Sequence, residues 1–521
     1  MTRRWISSFA AAALCLFLER GLCGQSASSA STNASIANQK LPMLRGEQLA
    51  RQYCSACHLF PEPQLLTKLE WAHHILPRMA VWLGVEPVNY ESEKDGKLLE
   101  EAAIFPSSPI VSEEDWFAIW SYFVSTAPST QLSPPARPKP VVGLEKFRAR
   151  KLNFHSGAPS VSLVKIDSAQ KRLFVGDSFA NMLAAVDPTG RTLGTAQLDS
   201  PPVSISDQPS GRFITLIGRM FPSEALEGSV MFVPKEANGS AQTLLEKLRR
   251  PTHTAVGDLN GDGRPDLVVC QFGNRLGRFS WFEAKGDRGF EEHILLEQPG
   301  SIRSELIDLN RDGKLDIIVL MAQAREGVFV FYNQGGGQFR MEPLIEQPPT
   351  FGYAGFQLID FNRDGAPDIL TANGDNGDNP TPHKPYHGVR LYLNDGKNHF
   401  KEAWFYPMEG AYDARAVDFD GDGDLDIAAI AYFPDFQKQP MESFVYLENR
   451  GGLRFEPHLI REASAGRWMT MDTGDLDGDG DTDIVLGSFA IGPTTIPVPP
   501  AVRDNWRTNG AAVLVLENLL R

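Results

Sequence analysis

The chain changes its hydrophobic pattern once, near residue 140. From Arg45 to about Ala127 the apolar positions follow a helical pattern. From about Glu145 to the end, short apolar runs alternate with turns rich in Gly, Asp and Asn, which is typical of an all-β repeat. Five prolines between Pro128 and Pro140 predict a semi-rigid linker between the two regions. We therefore expect a small all-α domain followed by a large all-β domain.

The β region repeats an acidic loop of the form D-x-[DN]-x-D-G-x-x-D. The five copies are 50, 52, 58 and 57 residues apart, which are lengths of propeller blades. An apolar run precedes each loop and a β-rich run follows it. A third run ends in asparagine in several repeats, and a Gly-rich turn then leads to a fourth run. This order predicts four-stranded propeller blades. The loops begin at Asp258, Asp308, Asp360, Asp418 and Asp475.

Two upstream segments, 166–176 and 205–216, have the strand pattern of a blade without the acidic loop. Together with the five repeats they predict seven blades, and six or eight remain alternatives because degenerate blades are easy to miscount. The last repeat stops after its third strand, at Asn518. The segment 146–154 resembles a fourth strand, so we expect it to complete the last blade. Closure of the ring in this way would hide two strand edges.

The acidic loops have the composition of a site for a hard cation, which needs several oxygen ligands. Positions 1, 3, 5 and 9 offer side chains, position 7 offers its backbone carbonyl, and glycine at position 6 permits a sharp turn. An EF-hand is excluded, because position 12 lacks glutamate and the flanks are strands. The candidate ligands are Asp258, Asn260, Asp262, Arg264 and Asp266; Asp308, Asn310, Asp312, Lys314 and Asp316; Asp360, Asn362, Asp364, Ala366 and Asp368; Asp418, Asp420, Asp422, Asp424 and Asp426; and Asp475, Asp477, Asp479, Asp481 and Asp483.

These loops resemble the FG-GAP or VCBS repeats of integrin-like β-propellers over about residues 250–521. The number of ligands and the loop flexibility favour calcium over magnesium, and the resemblance implies the same ion. We expect up to five calcium ions, which stiffen the blade turns and do no chemistry.

Cys54-Ser55-Ala56-Cys57-His58 is a C-x-x-C-H motif, which is typical of covalent heme attachment with the histidine as an iron ligand. C-x-x-C alone is also compatible with a zinc or redox site. The segment 46–53 before the motif resembles the N-terminal helix of class I cytochromes c. A helix opened by Ser112, with an apolar face formed by Trp116, Ile119, Trp120 and Phe123, resembles their C-terminal helix. The resemblance covers residues 44–128.

The sixth iron ligand is a choice among few residues. Met43 and Met79 are the only methionines between residues 42 and 130, and Met79 lies between the motif and the last helix, where this family places its ligand. Thioether ligation would suit electron transfer, so Met79 is the preferred candidate. The alternatives are a core role for Met79, with His73, His74 or an open position at the iron.

Residues 1–27 have the basic start and short apolar run of a signal peptide, and 28–42 read as a disordered linker. The net charge is −15, and removal of 1–27, which carries a net +2, leaves −17. This balance argues against nucleic acid as a partner. Only three cysteines follow the signal, so no disulfide framework exists, and Cys270 reads as a buried thiol. We expect a periplasmic or secreted protein without a transmembrane segment in the mature chain.

A second function has two candidate locations. The long connections between second and third strands carry polar residues, among them Asp375, Asp378, His383, His387, Arg503 and Trp506. The first strands carry charges that should surround a central channel, namely Arg303, Glu305, Asp413, Arg415 and Asp472. These charges form either a polar funnel for a small or carbohydrate-like ligand or a water-filled channel with paired charges.

The predicted organisation is a signal peptide (1–27), a disordered linker (28–42), a cytochrome c domain (43–128), a Pro-rich linker (129–144) and an FG-GAP/VCBS propeller (145–521). We expect an exported c-type cytochrome that passes single electrons through one covalent heme c to a redox partner protein. The propeller then acts as a module that binds a partner and positions the heme, and a glycan or cell-surface ligand is one candidate for that partner. The alternative is a catalytic oxidoreductase or glycan-active propeller that passes electrons to the heme. No motif defines a reaction, which favours an electron carrier over an enzyme.

Overall fold

The computed structural model describes residues 43–152, 158–235, 239–377, 384–492 and 496–520. The predicted signal peptide and the linker 28–42 lie outside these ranges, as do Asp378 and His383. None of the helices in the described ranges combines the length and apolar character that a membrane span needs.

The N-terminal region is helical and packs around one core of its own. Ser112 Oγ accepts a hydrogen bond from Asp115 N (3.1 Å), so the predicted cap of the last helix is confirmed. Ile119 and Phe123 are buried in that core with Trp71. Gly46 brings the first helix close to the last, because a Cβ there would lie 2.3 Å from the backbone oxygen of Ala118. The helical segments are 43–54, Pro63–Leu65, Lys68–Glu70, Trp71–Ile75, Leu76–Trp82, Tyr90–Ser92, Gly96–Ala102 and Glu113–Thr126.

The β region is a propeller of seven blades, which confirms the predicted blade number; six of the sheets have four strands, and that of blade 6 has a fifth strand at its outer edge. Blade 1 comprises Val161–Asp167, Arg172–Asp177, Met182–Val186 and Thr192–Gln197; blade 2 Pro202–Gln208, Gly211–Leu216, Leu226–Pro234 and Gln242–Arg249; blade 3 Pro251–Gly257, Asp266–Gln271, Arg278–Ala284 and Phe290–Leu296; blade 4 Ser301–Ile307, Asp316–Gln323, Arg325–Gly335 and Gln338–Gln347; blade 5 Tyr353–Ile359, Asp368–Asn373, Gly388–Asn394 and Phe400–Pro407; blade 6 Ala411–Val417, Asp426–Ala431, Phe444–Asn449 and Phe455–Leu459; and blade 7 Trp468–Gly474, Asp483–Ser488, Val513–Asn518 and Phe147–Leu152.

The ring closes as the sequence predicts, because Phe147–Leu152 pairs antiparallel with Val513–Asn518 as the outer strand of blade 7. The preceding Val141–Val142 pairs parallel with the outer strand of blade 6, so part of the predicted linker is held in a sheet. Short helical turns and one helix complete the connections. They are Ser168–Gln170, Gly286–Arg288, Pro349–Phe351, Pro440–Ser443, Arg461–Ala465 and Pro500–Thr508.

The second strands form the buried centre of each blade. All six residues of Asp266–Gln271 are buried, and Asp368–Asn373, Asp426–Ala431 and Asp483–Ser488 share that pattern. Cys270 is fully buried there, as predicted. The acidic loops join first to second strands, so we call that side of the ring the acidic-loop face. The connections between second and third strands lie on the opposite side, which we call the cavity face.

The helical region is docked on the cavity face. Its contacts reach the second-to-third-strand connections of blades 2, 3 and 5. They are Lys94 to Pro222 O (2.6 Å), Asp95 to Ser223 Oγ (2.6 Å) and Glu224 N (2.9 Å), Glu93 to Arg275 (2.7 Å), and Leu65 O to Tyr386 OH (3.2 Å). The segment between the two regions is also anchored, because Arg137 pairs with Glu442 at 2.6 and 2.7 Å and lies over the Tyr406 ring.

Candidate functional site

Each acidic loop folds around its first aspartate. In the loop of blade 3, Asp258 Oδ1 accepts hydrogen bonds from Gly261 N (2.7 Å) and Asp262 N (3.1 Å), and Oδ2 accepts one from Gly263 N (2.8 Å). These bonds hold the backbone in a tight turn around the Asp258 carboxylate. The glycine at position 6 has φ of +81° in Gly263, so its predicted role in the turn is confirmed.

The aspartate at position 9 has a structural task that the sequence did not reveal. Asp266 is fully buried, and its Oδ2 accepts from Leu259 N (3.0 Å) while its Oδ1 accepts from Ala284 N (2.8 Å). It therefore joins its own loop to the end of the third strand. Asp316, Asp368 and Asp483 make the same pair of bonds. Burial raises the pKa of the Asp426 and Asp483 carboxyls to about 6.

The five loops differ in the charges around their oxygens. In blade 6, one oxygen each of Asp418, Asp420 and Asp422 lie within 4.8 Å of one another, and in blade 7 the same holds for Asp475, Asp477 and Asp483. Asp418 Oδ1 is buried without a hydrogen-bond partner among the described residues.

Cationic side chains approach some of these loops. Arg264 pairs with Asp262 at 2.5 Å and Lys314 pairs with Asp312 at 2.9 Å, so position 7 partly neutralises position 5 in blades 3 and 4. Lys146 from the closing segment pairs with Asp420 (2.5 Å) in blade 6. In blade 5, position 7 is Ala366, which is buried.

The C-x-x-C-H motif begins at the end of helix 43–54. Cys54 is half-buried against the helical core and Cys57 is exposed. Burial, reinforced by the nearby Cys57, raises the pKa of the Cys54 thiol to about 12. The His58 ring lies 2.9 Å from the backbone oxygen of Leu59 through Nδ1, and burial lowers the pKa of His58. A neutral ring that donates from Nδ1 leaves the Nε2 lone pair available as a ligand.

The other predicted iron ligands lie on the helix that follows. His73 and His74 fall within a π-helical turn, Trp71–Ile75, where His73 is exposed and His74 half-buried. Met79 is half-buried in Leu76–Trp82, one turn after Ile75 and one turn before Leu83, both of which pack on the helical core. Met43, by contrast, is 45% exposed.

Four of the five first-strand charges that the sequence predicts around a channel line a central cavity of about 480 Å³. The residue five places before the first aspartate of each acidic loop (position −5) lines the cavity in all five repeats. These residues are His253, Arg303, Gly355, Asp413 and Thr470. Arg415 and Asp472 from position −3 also line it. Glu305, which was also expected there, is not among the lining residues and instead pairs with Arg303 (3.3 Å).

The structure adds an aromatic entrance that sequence reasoning missed. Phe221, Tyr412, Phe433 and Phe489 line the cavity close to the cavity face. The long connections of blades 6 and 7 pack on each other behind this entrance, where Trp506 is 2% exposed and contacts the Phe436 ring at 5.1 Å. The unusual length of these connections is visible in the sequence. Their contact with each other is not, because no periodic pattern relates residues of the two connections.

Comparison with protein families identifies a repeat in the propeller. The model of the FG-GAP-like repeat matches residues 258–319, 308–371 and 375–429. Comparison with curated protein sequences gives no match. Similar solved structures include the Neurospora crassa Pan2 WD40 domain (11% identity, 67% of this chain and 95% of that chain, TM-score 0.41). They also include the N-terminal domain of Nup159 (9%, 74% and 98%, TM-score 0.39) and BBS1N in complex with ARL6DN (12%, 74% and 98%, TM-score 0.42). The chain thus carries FG-GAP repeats within a seven-bladed β-propeller.

Proposed function

We propose that this chain is an exported electron-transfer protein, a class I cytochrome c domain joined to a calcium-stabilised propeller. Cys54 and Cys57 would attach heme c, His58 would ligate the iron, and Met79 is the preferred sixth ligand. The observation that carries the proposal is the arrangement of His58, which follows the second cysteine directly and is oriented by the Leu59 carbonyl. Heme supplies reversible one-electron chemistry when it is bound.

The burial of the Cys54 thiol supports heme over a redox dithiol. A redox-active C-x-x-C pair needs a thiol whose pKa is lowered, so that thiolate forms at neutral pH. Here burial raises the pKa of Cys54 to about 12, which is the opposite shift. A zinc site would need further cysteine or histidine ligands. No cluster of the described residues that has metal-ligand geometry includes Cys54 or Cys57.

The protein's own residues would prepare the heme site. His58 keeps a lone pair for the iron because its neutral ring donates from Nδ1 to Leu59. Trp71 and Phe60 belong to the apolar core beside the motif, and such an environment excludes water from a redox centre. Export to the periplasm or the exterior is part of the same proposal and rests on the signal-like segment 1–27, and a redox partner protein would exchange electrons with the heme.

Calcium binding by the acidic loops is the second part of the proposal. Positions 1, 3 and 5 would offer carboxylate or amide oxygens to the ion, and position 7 would offer its backbone carbonyl. The three-carboxylate groups in blades 6 and 7 supply the hard oxygen ligands that calcium prefers. The buried Asp418 Oδ1 without a partner is consistent with a cation there.

The heme is tested by visible spectra of the full chain produced with c-type maturation machinery, oxidised and dithionite-reduced, with a pyridine hemochrome assay. We expect a c-type spectrum and a weak far-red sulfur-to-iron band in the oxidised protein. That band should vanish in Met79→Ala and persist in the matched control Met43→Ala, because Met43 is exposed. Covalent heme without the band would show that Met79 is not the sixth ligand. Absence of heme after proper maturation would overturn the proposal that the helical region is a cytochrome c domain.

Calcium is tested by thermal unfolding of the propeller before and after treatment with EGTA. We expect a lower melting temperature after chelation and recovery with calcium but not with equimolar magnesium. A free ion concentration of 100 times Kd stabilises by about 2.7 kcal/mol per site. Asp477→Asn should weaken the response, and Asp504→Asn, in an exposed part of the Pro500–Thr508 helix, should not. An unchanged melting temperature after chelation would contradict the proposal.

The docking of the helical region favours one further candidate function. Pro222 lines the cavity and accepts a hydrogen bond from Lys94, so the helical region touches the cavity rim. This position favours a propeller that oxidises a substrate in the cavity and passes electrons to the heme. Reduction of the heme that depends on an added substrate, under anaerobic conditions, would support this enzyme, and binding without reduction would support the carrier.

A further inference from the structure

The central cavity has two chemically different ends. Its entrance on the cavity face is aromatic, with Phe221, Tyr412 and Phe433 among the lining residues. Deeper along the first strands lie His253, Arg303 and Arg415. A volume of about 480 Å³ falls in the range of small-molecule sites, which bury an apolar body and fix it with a few polar groups.

His253 offers a hydrogen-bond donor at the deep end. Its Nδ1 accepts from Ser304 N at 3.4 Å, so the proton of the neutral ring lies on Nε2. Burial, then the charges of Arg303 and Arg415, lower the pKa of His253 to about 3, so the ring stays neutral at physiological pH. The neutral ring therefore donates from Nε2 and carries no charge of its own.

Arg303 keeps an unused hydrogen-bond donor, whereas its neighbour Arg415 has a close carboxylate partner. Arg415 pairs with Asp413 at 2.8 Å, and both side chains are mostly buried. Arg303 has a longer contact of 3.3 Å with Glu305, and its Nε has no acceptor among the described residues. Its side chain remains 36% exposed toward the cavity that it lines. An anionic head group placed here would satisfy the guanidinium and relieve its repulsion with Arg415.

We propose that this cavity binds a small aromatic carboxylate, with the carboxylate at Arg303 and His253 and the ring in the entrance beside Phe221 and Tyr412. A neutral sugar would leave the Arg303 guanidinium with only its 3.3 Å contact to Glu305, and it would cover the aromatic entrance only in part. A multiply charged anion would meet Asp413 and Asp472, which also line the cavity. A single carboxylate on an aromatic body fits both ends.

Isothermal titration of the full chain with cinnamate tests the proposal. Cinnamamide serves as the neutral counterpart and gluconate as a carboxylate with a polyol body. We expect cinnamate to bind, and both counterparts to bind at least roughly tenfold more weakly, as the loss of a charged hydrogen bond or an aromatic contact implies. Arg303→Gln should weaken cinnamate binding by roughly tenfold or more. Arg288→Gln removes the same charge at an exposed turn and should leave the affinity unchanged.

Phe221→Ala provides a second variant, since Phe221 is 44% exposed and its loss leaves the core intact. It should weaken cinnamate binding several-fold, whereas Phe179→Ala, at an 81% exposed ring outside the cavity lining, should not. No heat with cinnamate, equal affinity for cinnamamide or gluconate, or an unchanged affinity in Arg303→Gln would overturn the proposal. The titration does not depend on the heme signal, so its failure and that of the electron-transfer proposal are distinguishable.

Discussion

Phe147 tests the closure of the propeller most directly, because it belongs to the strand that closes the ring and is packed between the last two blades. It is 7% exposed. Its ring contacts the rings of Phe419 at 5.8 Å and Tyr446 at 5.6 Å, both edge-on and both in blade 6. It also shares a core with Leu514 and Leu516 from the third strand of blade 7. Truncation of this one ring therefore weakens the closing strand and the boundary between two blades.

Phe147→Ala is expected to lower the free energy of unfolding of the propeller by about 3–5 kcal/mol, the usual cost of removing a buried phenylalanine ring. The two edge-to-face contacts contribute roughly 0.5–1.5 kcal/mol each within that total. Equilibrium urea unfolding followed by near-ultraviolet circular dichroism measures the change. The matched control is Phe179→Ala, since Phe179 is 81% exposed and should change stability by less than about 0.5 kcal/mol.

A loss for Phe147→Ala no larger than that of the control would refute this reasoning. The closing strand would then add nothing to the stability of blade 7, and its pairing with Val513–Asn518 would be dispensable. An intermediate loss with an unchanged slope against urea would mean that the surrounding side chains collapse into the space left by the ring.

Three further predictions concern single side chains. Burial, then the charges of Asp435 and Glu442, raise the pKa of Glu409 from 4.5 to about 7, so the free energy of unfolding falls as the pH rises between these two values. Glu409→Gln should therefore be more stable than the parent by roughly 1–3 kcal/mol at pH 8, with the difference vanishing near pH 4 in urea titrations. Asp95→Ala removes the acceptor of two hydrogen bonds to the propeller and should speed proteolysis between the two regions, whereas Glu91→Ala should not. Asn333→Ala should cost about 1–3 kcal/mol in the same unfolding assay, because it leaves the buried carbonyl of Leu259 and the partly buried carbonyl of Leu315 without their donor.

The regular parts of the propeller were predictable because each repeat contains the residues that determine its strand boundaries. The acidic loop fixes where the first strand ends and the second begins, and its spacing fixes the blade length. Because the last repeat has no fourth strand after Asn518, its third strand needs a partner from elsewhere in the chain, and Phe147–Leu152 supplies it. Residues at position −5 could be assigned to the cavity for the same reason, since equivalent positions in equivalent strands face the same axis.

Irregular contacts were not predictable, because they join residues that share no periodic relation. The docking of the helical region depends on Asp95, which adopts a left-handed conformation with φ of +58° and accepts from Ser223 and Glu224. The aromatic entrance depends on the connections of different blades meeting at one face. Composition marks neither feature, and only the folded backbone brings Phe221 and Phe489 together at 6.4 Å.

The acidic motif itself combines two tasks that the sequence cannot separate. The position-9 aspartate is buried and accepts backbone hydrogen bonds from its loop and from the third strand, as Asp266 does with Leu259 and Ala284. This latch is needed by the blade whether or not an ion is bound, because the two backbone N–H groups would otherwise lose their acceptor. The remaining carboxylates are not needed for these bonds. In blade 3 Arg264 pairs with Asp262, and in blade 4 Lys314 pairs with Asp312, so the charge of one carboxylate is partly neutralised. A repeat therefore identifies a blade more securely than it identifies a cation site, and the three-carboxylate loops of blades 6 and 7 are where calcium binding should be strongest.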